Sequence, residues 1–552
     1  MSFSIQALTK RMPAFAAVAA AFVGIVNIIS TLSPNIRWRG HLLLEFEPVQ
    51  AIRLFHALAL PTGAALLLVA PYLAKRRRRA LQTAVVLMLA LGVFDLLKGL
   101  DFEETILTWG VAAVLIGSRS EFRVRHDPIT LRSAVWRVPL LGLAGVVGAA
   151  VATWATQGHP SFSAVATETF DLLRWQQGPI HYHHHIPVGV HMLELGTLLI
   201  IAYVIFRPLT APRALPSPAA RREASDLIRE HGADTLAFFK LRADRHYLFS
   251  EDRRAFVGYA IENGVLLLSG DPVGPEEALP GLLYGVREFA DSRGLKLGAL
   301  GASEGLCPLY AELGLRTLYV GDEAVVDLGG FSLEGRPIRK VRQSVTRLGK
   351  AGYTAELHQL RALDAGTVER VEEVVELGRQ GAPERGFSMA MDSLQGEHDH
   401  ETLVVLARDE AGAIRGVLHF VPCYGRSAVS LSFMRRDPTT PNGLTEFLVV
   451  KAIELLRQRG VDELSLNFAA FAKWMHSPEK RLERLLGKLI ALGNPFFQIE
   501  SLYRFNAKFF PRWEPRFLVY EGALGLPRAG IAALWAEGQL PKPRIGRASA
   551  AH

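Results

Sequence analysis

A basic segment near the middle of the chain is the first candidate for chemistry. Residues 336–350 contain six Lys and Arg residues and no acid, and helical spacing places Arg339, Arg347 and their basic neighbours on one face. Arg342 lies in the same segment. Such a face binds the phosphates of RNA or of lipid headgroups. The alternative is a solvated basic helix, and the sequence leaves both interpretations open.

A second candidate lies near the C-terminus, where aromatic side chains alternate with cations. The segment 503–516 contains Arg504, Lys508 and Arg516 among Tyr, Phe and Trp residues. Alternation of this kind is typical of surfaces that stack on bases or hold phosphates. A strand with one packed aromatic face would give the same pattern, so this segment also has two interpretations.

The elements that must position these residues follow a repeated order. In the second half, three apolar strand patterns precede a helix at 444–456, which Gly460 ends, and a fourth strand at 464–468 follows. The first half repeats this order, and Asp271-Pro272 and Asp437-Pro438 each lie 23 residues before the glycine that ends the helix. This is the core order of GNAT-type acyltransferases. The sequence therefore predicts an α/β region of tandem GNAT-like repeats at 222–360 and 361–527, the second one catalytic, after a linker at 207–221.

The turns before the two helices argue against coenzyme A as the donor. A CoA pyrophosphate is usually held by backbone N–H groups of a glycine-rich turn. Here the equivalent turns, 270–275 and 435–438, contain prolines, which lack an N–H group. Gly378-Arg379-Gln380-Gly381 resembles a phosphate turn, but it precedes the first strand. We expect no cofactor.

Length and composition exclude several protein classes. The chain has 552 residues, 49% of them hydrophobic, with 62 Lys and Arg residues against 54 Asp and Glu residues. This composition excludes disordered and collagen-like proteins, and two cysteines, Cys307 and Cys423, are too few for a disulfide framework. The net charge of +8 favours acidic partners without choosing among them.

The N-terminal part has the apolar runs of a membrane protein. A bilayer core needs about 20 apolar residues per helix. Six apolar runs of adequate or nearly adequate length predict an α-helical transmembrane bundle of about six spans over 1–206. The runs lie at 13–31, 54–74, 80–94, 105–117, 138–155 and 186–206. The basic turn 75–79 favours the cytoplasmic side, which places the C-terminal domain in the cytoplasm of a multi-pass inner-membrane protein. Residues after 527 are predicted to form a short basic tail, 528–552.

Histidines of the membrane half form one further pattern. His181 and His183–His185 fall on the predicted outer side, where they form either a Zn or Cu site or a solvated loop. Glu194 and His191 lie in the sixth run, either as an intramembrane functional pair or as a satisfied polar pair. Neither pattern is strong enough to predict a bound metal.

The second half of the chain resembles the lysylphosphatidylglycerol synthase domain, the catalytic half of the multiple peptide resistance factors. The resemblance covers nearly all of 225–522, and its LNFAAF stretch and six spans are similar to the shorter, actinobacterial branch. The matching stretches are AFFKLRADRHYLFS (237–250), LSGDPVGP (268–275), GDEAVVDL (321–328), RKVRQSVTRLGKAGY (339–353), ERGFSM (384–389), MRRDPTTPNGLTEF (434–447), LNFAAF (466–471) and KFFPRWEPR (508–516).

The resemblance implies transfer of an aminoacyl group, usually lysyl, from charged tRNA to the glycerol hydroxyl of phosphatidylglycerol. Its product is a cationic lipid that alters membrane surface charge and resistance to cationic peptides. The implied partners are aminoacyl-tRNA, phosphatidylglycerol and the other membrane lipids, and a separate aminoacyl-tRNA synthetase supplies the donor. An aminoacyl ester is already activated, so the chemistry needs positioning, proton removal and oxyanion stabilisation.

The resemblance also implies the site residues. The family has Asp-x-x-Arg on the third strand of the second repeat, and this chain keeps Arg435 but has Ser432 in place of the acid. Arg435 would contact phosphate or the oxyanion, Glu446 would recognise the amino group or act as base, and Lys508 would bind an anion. Asp437 is the nearby acid that would compensate for Ser432. The remaining predicted substrate-binding residues are Arg339, Arg342, Arg347, Asn467, Glu483, Arg504 and Arg516.

Two other functions fit parts of the sequence. Ser432 in place of an acid favours a lipid transporter or flippase whose cytosolic acyltransferase domain has degenerated. The GNAT-like order favours an acyl-CoA acyltransferase, against which the prolines argue.

Overall fold

A computed structural model describes most of the chain as two compact units. The first unit comprises 1–211 and 291–294, and the second comprises 212–290 and 295–552. Within them the described residues are 2–32, 49–99, 101–124, 128–156, 161–173, 196–203, 205, 216–380, 387, 389–391, 394, 401–470, 502–522 and 525–540.

The first unit is helical, and small residues let its helices pack closely. A Cβ added at Gly24 would lie 2.8 Å from the carbonyl oxygen of Gly63, so these helices cross almost backbone to backbone. Asn27 Nδ2 donates to Asp95 Oδ1 at 2.7 Å, which pairs two buried polar side chains. The helices are α1 (Ser2–Leu32), α2 (Val49–Ala74), α3 (Arg78–Gly99), α4 (Phe102–Gly117), α5 (Pro128–Thr156) and α6 (Phe162–Leu173).

Two of these helices are long and apolar enough to cross a membrane. They are the segments Met12–Ser30 and Arg78–Leu97, with mean hydropathies of 2.2 and 2.1. Thr62–Ala74 and Val138–Val151 are apolar but shorter. Helices therefore cover the first five predicted apolar runs, but the six-span bundle is not confirmed. The histidines at 181–185, His191 and Glu194 lie outside the described residues.

The second unit is built on one sheet of eleven strands. Their spatial order is β1-β2-β3-β4-β11-β5-β10-β9-β8-β7-β6. The strands are β1 (His246–Phe249), β2 (Phe256–Glu262), β3 (Val265–Ser269), β4 (Lys296–Ser303), β5 (Leu315–Asp327), β6 (Thr354–Gln359), β7 (Leu403–Arg408), β8 (Ile414–Cys423), β9 (Ala428–Arg436), β10 (Glu463–Ala470) and β11 (Arg512–Glu521).

The helices of this unit bury apolar faces against the sheet. In the second half, Leu444, Phe447 and Leu448 enter the core with buried strand residues such as Leu418 and Leu464. The helices are α7 (Pro218–His231), α8 (Leu279–Ser292), α9 (Cys307–Glu312), α10 (Arg339–Lys350), α11 (Ala365–Arg379), α12 (Leu444–Gln458) and α13 (Gly525–Ala536).

The predicted repeat of three strands, a helix and a strand is confirmed in both halves. It appears as β1-β2-β3-α8-β4 and as β7-β8-β9-α12-β10. In each half the strand before the helix pairs in parallel with the strand after it, β3 with β4 and β9 with β10. The C-terminal half of the chain therefore has the GNAT-like fold.

The two repeats exchange their last strands. β5 comes from the first repeat but pairs with β10 of the second, and β11 comes from the second repeat but pairs with β4 of the first. β11 and β5 also pair with each other along ten residues of β11, Arg512–Glu521. This exchange makes the two repeats one continuous sheet.

Three predicted boundaries are moved by this architecture. β6 precedes residue 360 yet pairs with β7, so we propose that the second repeat begins before Thr354. Helix α7 begins at Pro218, inside the predicted linker, because the Ser217 side chain accepts from the Ala220 N–H and caps it. The predicted tail begins inside α13, which buries Ala529, Ala532 and Ala533 at helical spacing.

Candidate active site

A cavity lies where β9 ends and α12 begins. It has a volume of about 620 Å³, and we call it cavity A. Arg435 and Glu446, both predicted from the sequence, line it. The complete lining is Gly378, Gln380, Leu418, Met434, Arg435, Arg436, Pro438, Asn442, Gly443, Thr445, Glu446, Leu448 and Phe505.

Glu446, which lines cavity A, forms an ion pair with Lys508. Lys508 Nζ donates to Glu446 Oε1 at 2.8 Å and lies 5.0 Å from the centre of the Phe505 ring. Glu446 is in the first turn of α12, where the helix dipole favours a carboxylate. The two residues are 62 positions apart in sequence, so the fold alone brings this acid and base together.

Arg435 is half-buried and lies between cavity A and a second cavity. Its Nη1 donates to the carbonyl of Met434 at 2.9 Å, which fixes part of the guanidinium against the strand. Gly378 at the end of α11 approaches this strand closely, because an added Cβ would meet the Arg436 carbonyl at 3.0 Å. The stretch 378–381 thus contributes Gly378 and Gln380 to the site, although it lies before β7 in sequence.

The second cavity, cavity B, has a volume of about 570 Å³ and shares Met434 and Arg435 with cavity A. Its lining is mostly apolar, with the three carboxylates of Glu372, Glu376 and Glu537 and the guanidinium of Arg379 in addition to Arg435. The other lining residues are Val375, Met389, Ala390, Met391, Leu394, Leu431, Ser432, Phe433, Leu466, Asn467, Phe468 and Leu502.

Ser432 and Asn467 fix one wall of cavity B. Ser432 Oγ accepts from the Met391 N–H at 3.0 Å. Asn467 Nδ2 donates to the Leu431 carbonyl at 2.8 Å and also to the Met389 carbonyl. Asn467 has a φ of 71° in a bulge of β10, a conformation that Asn tolerates better than most residues. Both side chains therefore position backbone around the cavity.

Asp437, predicted to compensate for Ser432, has partners in its own turn and on β8. Its Oδ1 accepts from the Thr439 N–H and Oγ1 at 2.8 and 2.7 Å, and its Oδ2 accepts from Arg415 Nη1 at 2.9 Å. The hydrogen bonds from Thr439 lower the pKa of this carboxyl, with a smaller contribution from Arg415. The structure thus places Asp437 in the turn before α12, and its catalytic role stays a prediction.

The predicted basic helix is α10, and its arginines have different partners. Val341 and Leu348 are buried, whereas Arg339 and Arg347 are exposed. Arg347 donates to the carbonyl of Asn442 on the rim of cavity A. Arg342 instead donates to the carbonyls of Leu333 and Gly335, at 2.6 and 3.2 Å, so it holds the loop before the helix.

The aromatic and basic segment at 503–516 lies partly before strand β11 and partly within it. Tyr503 stacks on Trp513 with ring centroids 4.6 Å apart, and Arg504 is exposed. From Arg512 the segment is strand β11, so the strand interpretation is confirmed there. The predicted Glu483 lies outside the described residues.

Arg516 belongs to a buried cluster of charged side chains. Its guanidinium is almost fully buried and pairs with Asp234 at 2.6 Å and with Glu323. It also donates to Thr235 Oγ1 at 3.2 Å and to the Gly301 carbonyl at 3.3 Å. These carboxylates raise the pKa of Arg516 against the opposing effect of burial. These contacts give Arg516 a structural role, and its role in substrate binding stays a prediction.

Sequence reasoning missed the acidic and methionine residues of cavity B. Met389 falls within the matching stretch 384–389, but nothing in that stretch marks it as part of a cavity. Glu372 and Glu376 lie four residues apart on α11, which is a signal for one helix face. Among the described residues, no cluster of three or more His, Cys, Asp or Glu side chains is placed to hold a metal ion.

The chain is similar to known proteins over most of its length. Residues 225–520 match the family model described as phosphatidylglycerol lysyltransferase, C-terminal. The "Lysylphosphatidylglycerol biosynthesis bifunctional protein LysX" of Gordonia bronchialis is 30% identical over 96% of this chain and 49% of that protein. The protein of the same name from Mycolicibacterium gilvum is 31% identical over 96% of this chain and 50% of its own length. The chain thus spans about half the length of these relatives.

Two solved structures share the fold of the second unit. The structure of L-PGS from Bacillus licheniformis aligns with a TM-score of 0.53 and 21% identity, over 60% of this chain and 99% of that chain. A C-terminal domain of the lysylphosphatidylglycerol synthetase type from Agrobacterium fabrum aligns with a TM-score of 0.51 and 27% identity, over 59% and 98%. Both alignments cover nearly all of the shorter chain.

Proposed function

The chain belongs to the family described as phosphatidylglycerol lysyltransferase, C-terminal, and on this premise we propose that it transfers an aminoacyl group from charged tRNA to the glycerol hydroxyl of phosphatidylglycerol. The observation that carries the proposal is a cavity lined by Glu446, Arg435 and Arg436, whose Glu446 accepts from Lys508 beside it. An acid–base group and anion-binding cations in one cavity are what this transfer requires.

The reaction is a transesterification. The lipid hydroxyl oxygen attacks the ester carbonyl, and the hydroxyl proton passes to Glu446. The ribose oxygen of the tRNA terminus then leaves with this proton. Lys508 holds the Glu446 carboxylate in place, and Arg435 stabilises the negative oxygen of the tetrahedral intermediate. Holding the two substrates in one orientation contributes about 7–11 kcal/mol in favourable systems.

Both substrates are anionic, and cations surround cavity A on two elements. Arg436 belongs to its wall, and Arg347 contacts its rim from α10, whose exposed basic face also includes Arg339. Phosphates of the tRNA acceptor end or of the lipid headgroup would bind here by charge. This arrangement supports a role for α10 in substrate binding.

Cavity B suits the side chain of the transferred amino acid. Its apolar residues would pack against methylene groups, and three carboxylates against two guanidiniums leave it acidic. A long side chain with a terminal cation matches both properties. We therefore propose that the transferred group is cationic, with lysyl as the first choice.

The apolar helices of the first unit support a location in the membrane. Met12–Ser30 and Arg78–Leu97 are long enough to span, and Phe15, Val18 and Phe22 on α1 are more than half exposed. We propose a multi-pass inner-membrane protein with its catalytic unit in the cytoplasm, next to lipid headgroups and tRNA.

The decisive experiment is mass spectrometry of total lipids from cells that express the chain, compared with an empty vector and with Arg435→Ala. We expect a new aminoacyl-phosphatidylglycerol, with a mass that identifies the amino acid, and its loss in the variant. No new lipid from a chain verified in the membrane would contradict the proposal.

A lipid transporter with a degenerate acyltransferase domain is the second candidate. Ser432 favours it, because the serine Oγ is already occupied by the Met391 N–H and offers no charge to an amino group. This function predicts altered lipid sidedness without a new aminolipid. Headgroup labelling of intact cells and of lysed cells separates the two proposals.

A further inference from the structure

A short backbone segment forms part of the wall of cavity B and is held from outside its own repeat. We call Phe387, Met389, Ala390 and Met391 the strap. In sequence the strap lies between α11 and β7, both of the second repeat. Met389, Ala390 and Met391 line cavity B, and Phe387 anchors the segment.

Two arginines of the first repeat bind the strap directly. Arg245 is 2% exposed, donates through Nη2 to the Phe387 carbonyl, and places its guanidinium 4.1 Å from the centre of the Phe387 ring. Arg242 donates through Nη1 to the Ala390 carbonyl at 3.1 Å. Asp244 pairs with both arginines, at 2.9 and 3.0 Å, and so sets their orientation.

The strap side chains are also packed outside the second repeat. The Phe387 ring is buried with Val265 and Leu267 of β3 and with Ala529 of α13. Met391 is buried in the core that contains Leu227 and Ile228 of α7. Glu537, which follows α13 and lines cavity B, accepts from the Phe387 N–H at 3.0 Å.

These contacts bear on two tasks of the site, the selection of the donor and the transfer of the aminoacyl group. Arg435, Glu446 and Lys508 all come from the second repeat, whereas the wall of cavity B that Ser432 and Asn467 bond from the second repeat is also fixed by two arginines of the first repeat. A side-chain pocket discriminates by shape, and one extra or missing methylene changes the discrimination between substrates by roughly 10- to 200-fold. The positions of Met389 and Met391 therefore decide which side chains fit.

We propose that Arg245 and Arg242 are positioning residues that set the aminoacyl specificity of cavity B by holding the strap, so that the first repeat selects the donor and the second performs the transfer. The proposal rests on the proposed function, and it names a cationic aminoacyl group with a long apolar stem as the ligand of cavity B. Neither arginine lines cavity A or cavity B.

The test measures transfer from lysyl-tRNA, arginyl-tRNA and alanyl-tRNA to phosphatidylglycerol vesicles by the full chain in detergent. For Arg245→Met we expect the KM of the preferred donor to rise by roughly tenfold while kcat falls by less than about threefold, because the pocket and not the reacting groups has changed. The preference over alanyl-tRNA should shrink by the same factor. Arg245→Lys should restore part of it.

The matched control is Arg253→Met. Arg253 also lies over an aromatic ring, 4.6 Å from the centre of Phe249, and pairs with Glu223, but it is exposed and does not contact the strap. We expect it to keep the donor preference of the wild type. If Arg245→Met does not fold, Arg242→Lys tests the second contact of the strap. It should reduce the preference for the preferred donor over alanyl-tRNA by roughly threefold.

The outcomes are distinct. Folded Arg245 or Arg242 variants with an unchanged donor preference would overturn the proposal and leave the proposed function intact. A fall in kcat alone, with unchanged KM and preference, would also overturn it. Wild-type protein that transfers from none of the three donors would overturn the proposed function, and this inference with it.

Discussion

In the proposed mechanism, Arg435 is the residue on which the chemistry of the site depends most. It lines both cavities, so its guanidinium reaches the place where a donor in cavity B would meet an acceptor in cavity A. A guanidinium provides two parallel donors to an oxyanion or a phosphate, which an ammonium group cannot do. Charge and geometry at this position can therefore be tested separately.

For Arg435→Lys we expect kcat/KM to fall by roughly tenfold to a hundredfold, and for Arg435→Ala by roughly a thousandfold, since the first change keeps the charge and the second removes it. Transfer of radiolabel from charged tRNA to lipid measures both. Arg370→Ala is the control, because Arg370 is an exposed residue of α11 that pairs only locally with Glu373. Equal rates for the wild type and Arg435→Ala would remove Arg435 from the mechanism.

The Glu446–Lys508 pair predicts that substitutions of the two residues have coupled effects on kcat. Glu446→Gln should lower kcat by roughly a hundredfold or more, because general bases contribute about 10²–10⁴. Lys508→Met should lower it less, and the double variant should lose less than the product of the two single effects, since both act on one proton transfer. The same rate assay, repeated for all four proteins, gives the coupling. Fully multiplicative losses would show that the two side chains act independently.

Asp271 predicts a pH dependence of stability. Burial raises its pKa to about 6, and the nearby carboxylate of Asp234 adds to this effect. An acid with a raised pKa stabilises the folded state fully below its unfolded pKa, near 4, and loses that contribution as the pH rises through about 6.

Asp271→Asn removes this titrating group. We therefore expect the free energy of unfolding of the wild type minus that of Asp271→Asn to fall by up to about 3 kcal/mol between pH 4 and pH 7. Denaturant unfolding in detergent, followed by tryptophan fluorescence, measures this difference. A difference independent of pH would show that Asp271 does not titrate in this range.

At the scale of elements, the exchanged strands are held by one buried charged cluster. Arg516 on β11 pairs with Glu323 on β5 and with Asp234 before β1, and Ser465 on β10 and Thr235 also donate to Glu323. The cluster thus joins strands of both repeats. Its members are almost completely buried, so each depends on its partners.

Removal of Arg516 should destabilise the second unit strongly. For Arg516→Met we expect a loss of about 3–5 kcal/mol, because the fully buried Glu323 would lose its arginine counter-charge. Arg512→Met is the control on the same strand, where an exposed arginine pairs with Glu463 and Glu514 at the surface. Thermal unfolding of the three proteins in detergent gives the comparison, and similar shifts for both variants would contradict the assigned role of the cluster.

At the scale of the whole molecule, the proposed membrane topology predicts which turns face the cytoplasm. Single cysteines introduced as Lys75→Cys and Asp101→Cys, in a chain with Cys307→Ser and Cys423→Ser, report this with a membrane-impermeant thiol reagent. We expect labelling at position 101 in intact cells and at position 75 only after permeabilisation, because positive turns stay inside. The opposite pattern would place the catalytic unit on the outer side.

The sequence alone determined much of this protein. The Asp-Pro and Gly markers and the apolar periodicity predicted both β-β-β-α-β units, because local strand and helix patterns depend on neighbouring residues. Helical spacing predicted the basic face of α10. The family motifs gave Arg435, Glu446 and Lys508, and the fold brings all three to the region of cavity A.

Only the tertiary structure decided the rest. The pairing of β5 with β10 and of β11 with β4 joins strands that lie far apart in sequence, and no local pattern specifies such partners. The same is true of the structural roles of Arg516 and Asp437, whose acceptors and donors lie on other elements. A cationic side chain has the same sequence signature whether it faces a substrate or a buried carboxylate, and only its surroundings in the folded chain distinguish the two.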